Sequence, residues 1–161
     1  MVFDSIEALK NHILSCSKVA VEIARDKVYS VISECLEQFY SEFKPDVYVR
    51  TEQLLRSLVK DRVVSTGNGW EAEVYFDIEL LDYSTRIVPD GKSWSPNNTY
   101  HRDAWTKEND KWVLETAMQG GKPHGGYAEG TQIWTESMNW LTKEKLEIFR
   151  QALTAAGIPI K

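Results

Sequence analysis

The chain has 161 residues and a formal net charge of −5 at pH 7, a length that suits one domain with one hydrophobic core. Its 42% hydrophobic and 27% charged residues are ordinary for a globular protein and argue against overall disorder. The acidic balance argues against a protein that reads nucleic acid through a basic patch. The same balance is compatible with a negatively charged wall past which DNA slides.

The beginning of the chain and its cysteines indicate where it is made. The sequence starts Met1-Val2-Phe3-Asp4 and shows no basic stretch followed by an apolar run, so we expect no secretory signal and no membrane span. Cys16 and Cys35 are 19 residues apart in one predicted helix, which corresponds to about 28 Å and is too far for a disulfide. They are expected to be reduced core residues of a protein made in the cytoplasm.

One long amphipathic helix is predicted at the beginning of the chain. Apolar residues recur at steps of three and four from Ser5 to about Phe43, which is the pattern of a single helical stripe. Asp4 and Glu7 have capping-box spacing, and Pro45 ends the helix. About 39 helical residues span about 58 Å, whereas a compact domain of this size is about 40 Å across. The helix should therefore kink or pack against another subunit.

A short helix and a hairpin are predicted next. Thr51 is expected to cap a helix from Glu52 to Val59 whose leucines face inward, namely Leu54, Leu55 and Leu58. A strand over 61–65 and a turn over Thr66-Gly67-Asn68-Gly69 should follow. Residues 70–80 then alternate between apolar and polar, which predicts a half-buried antiparallel strand.

The polar face of that strand carries a row of carboxylates: Glu71, Glu73, Asp77 and Glu79. A solvated sheet face is the simpler interpretation of this row. The lining of a passage for DNA is the alternative, because a negative surface repels phosphate.

The rest of the chain predicts an irregular insertion and two helices. Residues 82–110 show no periodicity and contain Tyr83, Trp94, Tyr100 and Trp105; such long loops are usually functional or disordered, and we interpret this one as an insertion that folds back or contacts a partner. A short helix over 111–119, a flexible connection over 120–130 and a last helix over about 142–156 should follow. That helix should place Leu146, Phe149, Leu153 and Ala156 inward and end at Gly157. The fold class is therefore α+β, in a single domain over 1–161, with a long N-terminal helix, a short second helix, an antiparallel β-sheet and a C-terminal helix.

The sequence shows no constellation that predicts catalysis, and neither a cofactor nor a metal is expected. His12, His101 and His124 lie in three separate segments rather than in one cluster with metal-ligand spacing. The glycine-rich segment 120–130 lacks the Lys-Ser or Lys-Thr pair of a phosphate-binding loop. An alternative from the enzyme class is a small hydrolase that uses His124 with Glu129 or Asp103.

Two segments carry a resemblance to a known family. Arg50-Thr51-Glu52-Gln53-Leu54-Leu55-Arg56-Ser57-Leu58 resembles the Arg-Thr-Gly-x-Leu-x-x-Ser segment of small tail-component proteins from long-tailed double-stranded-DNA bacteriophages. In that family the segment also follows a long N-terminal helix and precedes a hairpin. Tyr127-Ala128-Glu129-Gly130-Thr131 is similar to the family's aromatic–Glu–Gly–Thr stretch, and Thr131-Gln132-Ile133-Trp134 before a C-terminal helix resembles relatives from Gram-positive hosts.

The resemblance assigns a structural motif to Arg50, Thr51, Leu54, Ser57, Gly130 and Thr131. It has two departures from the family pattern. Glu52 stands where the family usually has glycine, so the turn that glycine permits is expected to form differently here. The insertion over 82–110 replaces a shorter connection.

The resemblance implies a virion structural protein at the phage head–tail junction, a tail-completion or neck component without enzymatic activity. It implies a ring of copies, often six, around a channel through which double-stranded DNA passes without sequence-specific binding. The expected partners are neighbouring neck, connector or tail-tube proteins, with no membrane contact. The protein would be made in the host cytoplasm and reside in the virion. A tail terminator or a head-closure protein is the alternative within this class.

Contacts between subunits are expected from the long helix, the insertion and the glycine-rich loop. These segments contribute aromatic residues and one histidine as candidate contacts: Trp94, Tyr100, Trp105, His124, Tyr127 and Trp134.

Overall fold

The computed structural model of the chain describes residues 2–42, 52–82, 106–118, 133–158 and 160. Within them the helices are α1 (Ile6–Glu42), α2 (Gln53–Ser57), α3 (Lys107–Met118) and α4 (Ile133–Ala155), with a 3₁₀ helix at Ile78–Leu80. The strands are β1 (Leu58–Lys60), β2 (Val64–Ser65), β3 (Trp70–Glu71) and β4 (Val74–Phe76), with β1 paired to β4 and β2 to β3. The predicted α+β class, with its long first helix and its C-terminal helix, is confirmed.

The chain forms two compact units. One contains Met1–Val31, Val59–Tyr75 and Met138–Lys161, and the other contains Ile32–Leu58 and Phe76–Ser137. The 37 residues of α1 are divided between them, so this helix does not belong to one compact unit alone. The expectation of a single domain over 1–161 stays a prediction.

The long helix begins with a serine cap. Ser5 Oγ accepts a hydrogen bond from the backbone N–H of Ala8 at 3.0 Å, and the Ser5 carbonyl accepts one from Leu9 at 3.1 Å. This is the N-cap geometry that satisfies one of the free N–H groups of the first turn. The predicted capping box of Asp4 and Glu7 is therefore wrong by one residue, because the helix starts after Ser5 and its third position is an alanine.

The core of the first unit lies between α1 and α4. Ala20 and Ala24 of α1 cluster with Ile148 and Ala152 of α4, and half-buried apolar residues pack around them: Leu141, Leu153 and Ala156. The two helices are antiparallel, since Lys27 lies 5.5 Å from the Trp140 ring near the start of α4, whereas Cys16 lies beside Gly157 at its end.

The predicted register of α4 is partly wrong. The helix begins at Ile133 rather than near Thr142, and Leu146 and Phe149 are 78% and 50% exposed rather than inward. α4 carries two apolar stripes, and α1 offers alanines that accept the stripe containing Ile148 and Ala152. The fit against α1 therefore determines which stripe of α4 is buried. Periodicity alone does not determine it.

Gly157 ends α4 as predicted. Its φ is 96°, the left-handed conformation that glycine adopts without a β-carbon clash. The N–H of Ile158 donates to the Leu153 carbonyl at 2.9 Å, and the N–H of Gly157 donates to the Thr154 carbonyl at 3.1 Å. These two bonds form a Schellman motif.

The predicted turn at 66–69 connects β2 and β3. Gly67 has a φ of 84°, the N–H of Thr66 donates to the Gly69 carbonyl at 3.1 Å, and the antiparallel pairs are Val64 with Glu71 and Ser65 with Trp70. The turn prediction is confirmed.

The predicted strand bounds need correction. The strand expected over 61–65 is limited to β2, and β1 begins at Leu58, where the second helix was expected to continue to Val59. The strand expected over 70–80 is split into β3, β4 and the 3₁₀ helix. The split has a local cause: Asp77 Oδ1 accepts the N–H of Glu79 at 2.9 Å, and an aspartate that bonds its own downstream backbone favours a turn over a strand.

The helix α3 begins four residues before the predicted Lys111. Thr106 precedes it, and Asn109 Oδ1 accepts hydrogen bonds from the Thr106 N–H at 2.9 Å and from its hydroxyl at 3.0 Å. Asparagine thus takes the place of the glutamate of a capping box. The predicted irregular insertion over 82–110 is therefore wrong at its C-terminal end.

Candidate functional site

The motif segment supplies core residues of the second unit. Leu54, Ser57 and Leu58 are buried, and Ser57 Oγ donates to the Leu54 carbonyl at 2.9 Å. The Ser57 carbonyl accepts the N–H of Asp77 at 2.8 Å, and α2 contacts the 3₁₀ helix. The Ser57 hydroxyl is thus hydrogen-bonded within α2, and the Ser57 carbonyl binds the residue that precedes the 3₁₀ helix.

Glu52 precedes α2 in an unusual backbone conformation. Its φ is 56° and its ψ is 23°, and its side chain makes no capping hydrogen bond. The N-cap of α2 is therefore Glu52, so the prediction that Thr51 caps this helix is wrong. Glutamate here takes the left-handed conformation that glycine favours, and the expectation of a turn unlike that of the family stays a prediction.

The conformation of Glu52 predicts a stabilising substitution. Glu52→Gly should raise the free energy of unfolding by about 0.5 to 1 kcal/mol, because removing a β-carbon from a left-handed residue outweighs the added entropy of an unfolded glycine. Glu52→Ala, which keeps the β-carbon, is the control and should give no gain. Urea denaturation of the three proteins measures the effect. A Glu52→Gly variant less stable than the alanine variant would contradict the assigned conformation.

The four predicted carboxylates do not form one continuous strand face. Glu71 and Glu73 are exposed on the β3–β4 segment, whereas Asp77 is half-buried and caps the 3₁₀ helix that contains Glu79. Because β4 ends at Phe76, the alternation breaks before Asp77. The row is therefore limited to its first two members, and their place beside a DNA channel stays a prediction.

Most of the predicted motif and contact residues lie outside the described part of the chain: Arg50, Thr51, Trp94, Tyr100, Trp105, His124, Tyr127, Gly130 and Thr131. Trp134 lies in α4, and its side chain is likewise outside the described set. The hydrolase alternative depends on His124, Glu129 and Asp103, which also lie outside the described part of the chain.

Lys107 is a central residue of the second unit that the sequence analysis missed. Its Nζ donates to the carbonyls of Leu81 at 2.7 Å, Glu79 at 3.2 Å and Ile78 at 3.3 Å. It also lies 3.7 Å from the buried carboxylate of Asp110. One ammonium thus connects the beginning of α3 to the carbonyls of the 3₁₀ helix. The available signal was the (i, i+3) spacing of Lys107 and Asp110.

A second missed cluster lies in the first unit around Asp26. Asp26 Oδ1 accepts from Lys60 Nζ at 2.9 Å and from Arg25 at 2.7 Å, and Arg25 also donates to the Asp61 carbonyl at 2.9 Å. Lys60 lies 5.0 Å from the Tyr29 ring centroid, within cation–π range. The hydrogen bond from Lys60, followed by that from Arg25, lowers the pKa of Asp26, and desolvation opposes this shift.

The lowered pKa of Asp26 predicts a pH-dependent stability difference. A carboxyl group with a lower pKa in the folded state stabilises the fold above its unfolded pKa of about 3.9, and this contribution is lost as the pH falls through the folded value. Asp26→Asn should therefore lower the free energy of unfolding by up to about 1 kcal/mol at neutral pH, since the pair is solvent-screened. Below the folded pKa the difference should disappear. Urea midpoints at neutral and strongly acidic pH measure it, and equal differences at both would contradict the ion pair.

A groove of about 430 Å³ opens on the first unit. Its walls come from α1, from the β3–β4 segment and from α4, and they include Val21, Arg25, Trp70, Lys145 and Phe149. The Trp70 indole N–H donates to the Leu14 carbonyl at 2.9 Å, and Lys18 lies 5.6 Å from the Trp70 ring centroid. These contacts hold the β3–β4 segment against α1 and thereby form one wall. The groove is mostly apolar, with a cation on α1 and another on α4.

No family model, curated protein or solved structure matches this chain. Its function therefore has to be argued from its own residues and their geometry. Among the described residues there is no group of three His, Cys, Asp or Glu side chains that could hold a metal ion. Over the same ranges, each helix is too short or too polar to cross a bilayer.

The Cys16 thiol is a candidate nucleophile by residue type only. Its sulfur lies 3.6 Å from His12 Nε2, and the centroid of the His12 ring lies 5.0 Å from that of Phe3, with the two rings tilted by 42°. However, Cys16 is buried on the face of α1 that packs toward α4, so its thiol is hardly accessible to a substrate.

Proposed function

We propose that this protein is a structural component of the head–tail junction of a long-tailed double-stranded-DNA bacteriophage, a tail-completion or neck protein. In this proposal its copies form a ring around the channel through which the DNA passes. Its partners are further copies of itself and the neighbouring neck, connector or tail-tube proteins. It resides in the virion after synthesis in the host cytoplasm.

The observation that carries the proposal is the backbone of Glu52. This residue stands where the tail-component family usually has glycine, and its φ of 56° lies in the region that glycine favours. Among the described residues, Glu52 is the sole non-glycine residue with a positive φ. A chance match of nine residues gives no reason for this conformation to occur at that position.

The order and packing of the elements support the same proposal. The long helix α1 precedes the motif helix α2, and the β2–β3 hairpin follows it, as in the tail-component family. The motif residues Leu54 and Ser57 are both buried, which supports a structural role for the motif. A motif that carries packing residues is what a shared fold requires.

The surface also suits an assembly protein beside DNA. Large apolar side chains are exposed on both long helices, among them Ile6, Leu9, Ile13, Leu146 and Phe149, and exposed apolar patches mark sites of protein association. The net charge of −5 and the exposed carboxylates of Glu71 and Glu73 favour passage of DNA without binding.

The test is made on phage particles. In a phage that carries this gene, mass spectrometry of purified virions should find the protein at a fixed copy number of one ring per particle. An amber mutation should yield DNA-filled heads and separate tails, and plasmid-borne wild type should restore joining. Glu52→Gly is the control variant and should complement equally well. Absence of the protein from purified particles would refute the proposal.

The same observations also support the tail-terminator and head-closure alternatives. These proteins differ in their position within the phage particle. A reconstruction of the particle distinguishes them, because a terminator lies on the tail tube and a head-closure protein lies on the connector.

A further inference from the structure

The apolar stripe of α1 continues beyond the core that it builds. Cys16, Ala20 and Ala24 are buried, and the same stripe extends toward the N-terminus at steps of three and four through Ile13, Leu9 and Ile6. These three are 44%, 39% and 88% exposed. The stripe is thus covered in one part of the helix and uncovered in the part before Cys16.

The stripe becomes uncovered because α4 ends. A β-carbon at Gly157 would lie 3.8 Å from Cys16 Sγ, so the antiparallel partner of α1 ends at the level of Cys16. About two turns of α1, from Ile6 to Ile13, extend past it. Their apolar residues occupy positions i, i+3 and i+7, the spacing with which an amphipathic helix docks in an apolar groove.

The groove on the same unit offers a complementary surface. Val21, Val28, Val74 and Leu141 line it, and Phe149, half-exposed, stands at its side. This groove and the uncovered turns are different surfaces of one unit. A contact between them in two copies is therefore heterologous, and such contacts repeat from copy to copy into a ring or a filament.

The charges of the two surfaces are also complementary. The uncovered turns and the residues before them carry Asp4 and Glu7 against Lys10, so carboxylates predominate there. The groove is lined by Arg25 and Lys145 against Glu71, so cations predominate. Arg25 is already bound to Asp26 and to the Asp61 carbonyl, which leaves Lys145, exposed on α4, as the cation that meets an acidic partner.

We propose that the N-terminal turns of α1 in one copy dock in the groove between α1, β3–β4 and α4 of a second copy. Ile6, Leu9 and Ile13 enter the groove, and Glu7 lies near Lys145. The interface rests on the proposed function only for the closure of the contacts into a ring. The pairing of the two surfaces rests on their apolar residues, on the spacing of those residues and on charge.

The experiment uses two variants that each remove one surface from the full-length chain. Ile6→Glu should weaken self-association at least 30-fold, roughly the loss of one central interface anchor. It should leave the fold intact, because Ile6 is mostly exposed and an acid suits the first turn of a helix. Phe149→Glu should weaken self-association similarly. Val19→Glu, a matched change on α1 outside the stripe at an exposed position, is the control and should associate like the wild type.

Mixing the two variants is the decisive measurement. Ile6→Glu keeps its groove and Phe149→Glu keeps its uncovered turns, so an equimolar mixture should form a 1:1 heterodimer in sedimentation equilibrium and grow no further. Circular dichroism of each variant alone verifies that it is folded. If Phe149→Glu disturbs the fold, Phe149→Ala replaces it.

A charge exchange provides a second readout. Lys145→Glu should weaken association about threefold to fivefold, the range of a solvent-exposed ion pair, and adding Glu7→Lys should restore it.

Three results would overturn the proposed interface. They are a wild type that stays monomeric at high micromolar concentration, a Phe149→Glu variant that associates like the wild type, or a mixture without heterodimer. The second of these would indicate a contact of α1 with α1 in a symmetric pair. None of them bears on whether the protein is present in virions, so the interface and the proposed function fail separately.

Discussion

Replacing Leu36 with alanine should lower the free energy of unfolding by about 3 kcal/mol. Leu36 lies in the C-terminal part of α1 with 0% of its side chain exposed. Truncating it removes apolar contacts and leaves a cavity that the surrounding side chains fill only in part. Alanine has a high helix propensity, so the loss reports packing rather than the stability of the helix itself.

Leu146→Ala is the matched control for this change. The substitution is chemically the same and also lies within a long helix, but Leu146 is 78% exposed. Its effect should stay within about 0.5 kcal/mol. Urea denaturation followed by far-UV circular dichroism measures both variants. Equal losses at the two positions would contradict the burial of Leu36 and the assignment of Leu146 to the surface.

Replacing Ala152 with a larger residue should lower the free energy of unfolding almost as much as Leu36→Ala does. Ala152 has no exposed surface and lies in the cluster with Ala20, Ala24 and Ile148, where small side chains let α1 and α4 approach closely. Ala152→Leu adds volume that this contact cannot accept, so the free energy of unfolding should fall by about 2 to 3 kcal/mol through displaced helices and strained rotamers.

The control for Ala152→Leu lies three residues farther along. Ala155 is exposed in the last turn of α4, and Ala155→Leu should change the stability by less than about 0.5 kcal/mol. Thermal denaturation of the two variants and the wild type gives the comparison. If Ala152→Leu were as stable as Ala155→Leu, the alanine contact between the helices would be wrong.

Sequence patterns predicted the elements whose cause is local. The stripe of α1 extends over many turns, the turn at 66–69 contains Gly67 at a positive φ, and Gly157 ends α4. In each case the residues themselves restrict the backbone or the buried face. The inward positions of Leu54 and Leu58 were likewise predicted, from the helical pattern of the segment.

Tertiary contacts decided what the sequence left open. The choice between the two stripes of α4 depends on the alanines of α1, and the groove exists because Trp70 binds the Leu14 carbonyl. Lys107 binds carbonyls more than 20 residues earlier in the chain, which no local pattern reveals. The positive φ of Glu52 is similarly beyond propensity, because glutamate rarely adopts it and the surrounding structure has to impose it.

The Schellman motif at Gly157 determines how much of α1 remains available to other molecules. Had α4 continued for two more turns, its side chains would lie along the helix toward Ile6, and the apolar stripe would be covered within its own chain. A glycine that ends one helix therefore leaves part of the other helix uncovered by the described residues of its own chain. In this protein the signal that terminates a helix also sets the boundary between the surface used for folding and the surface left for association.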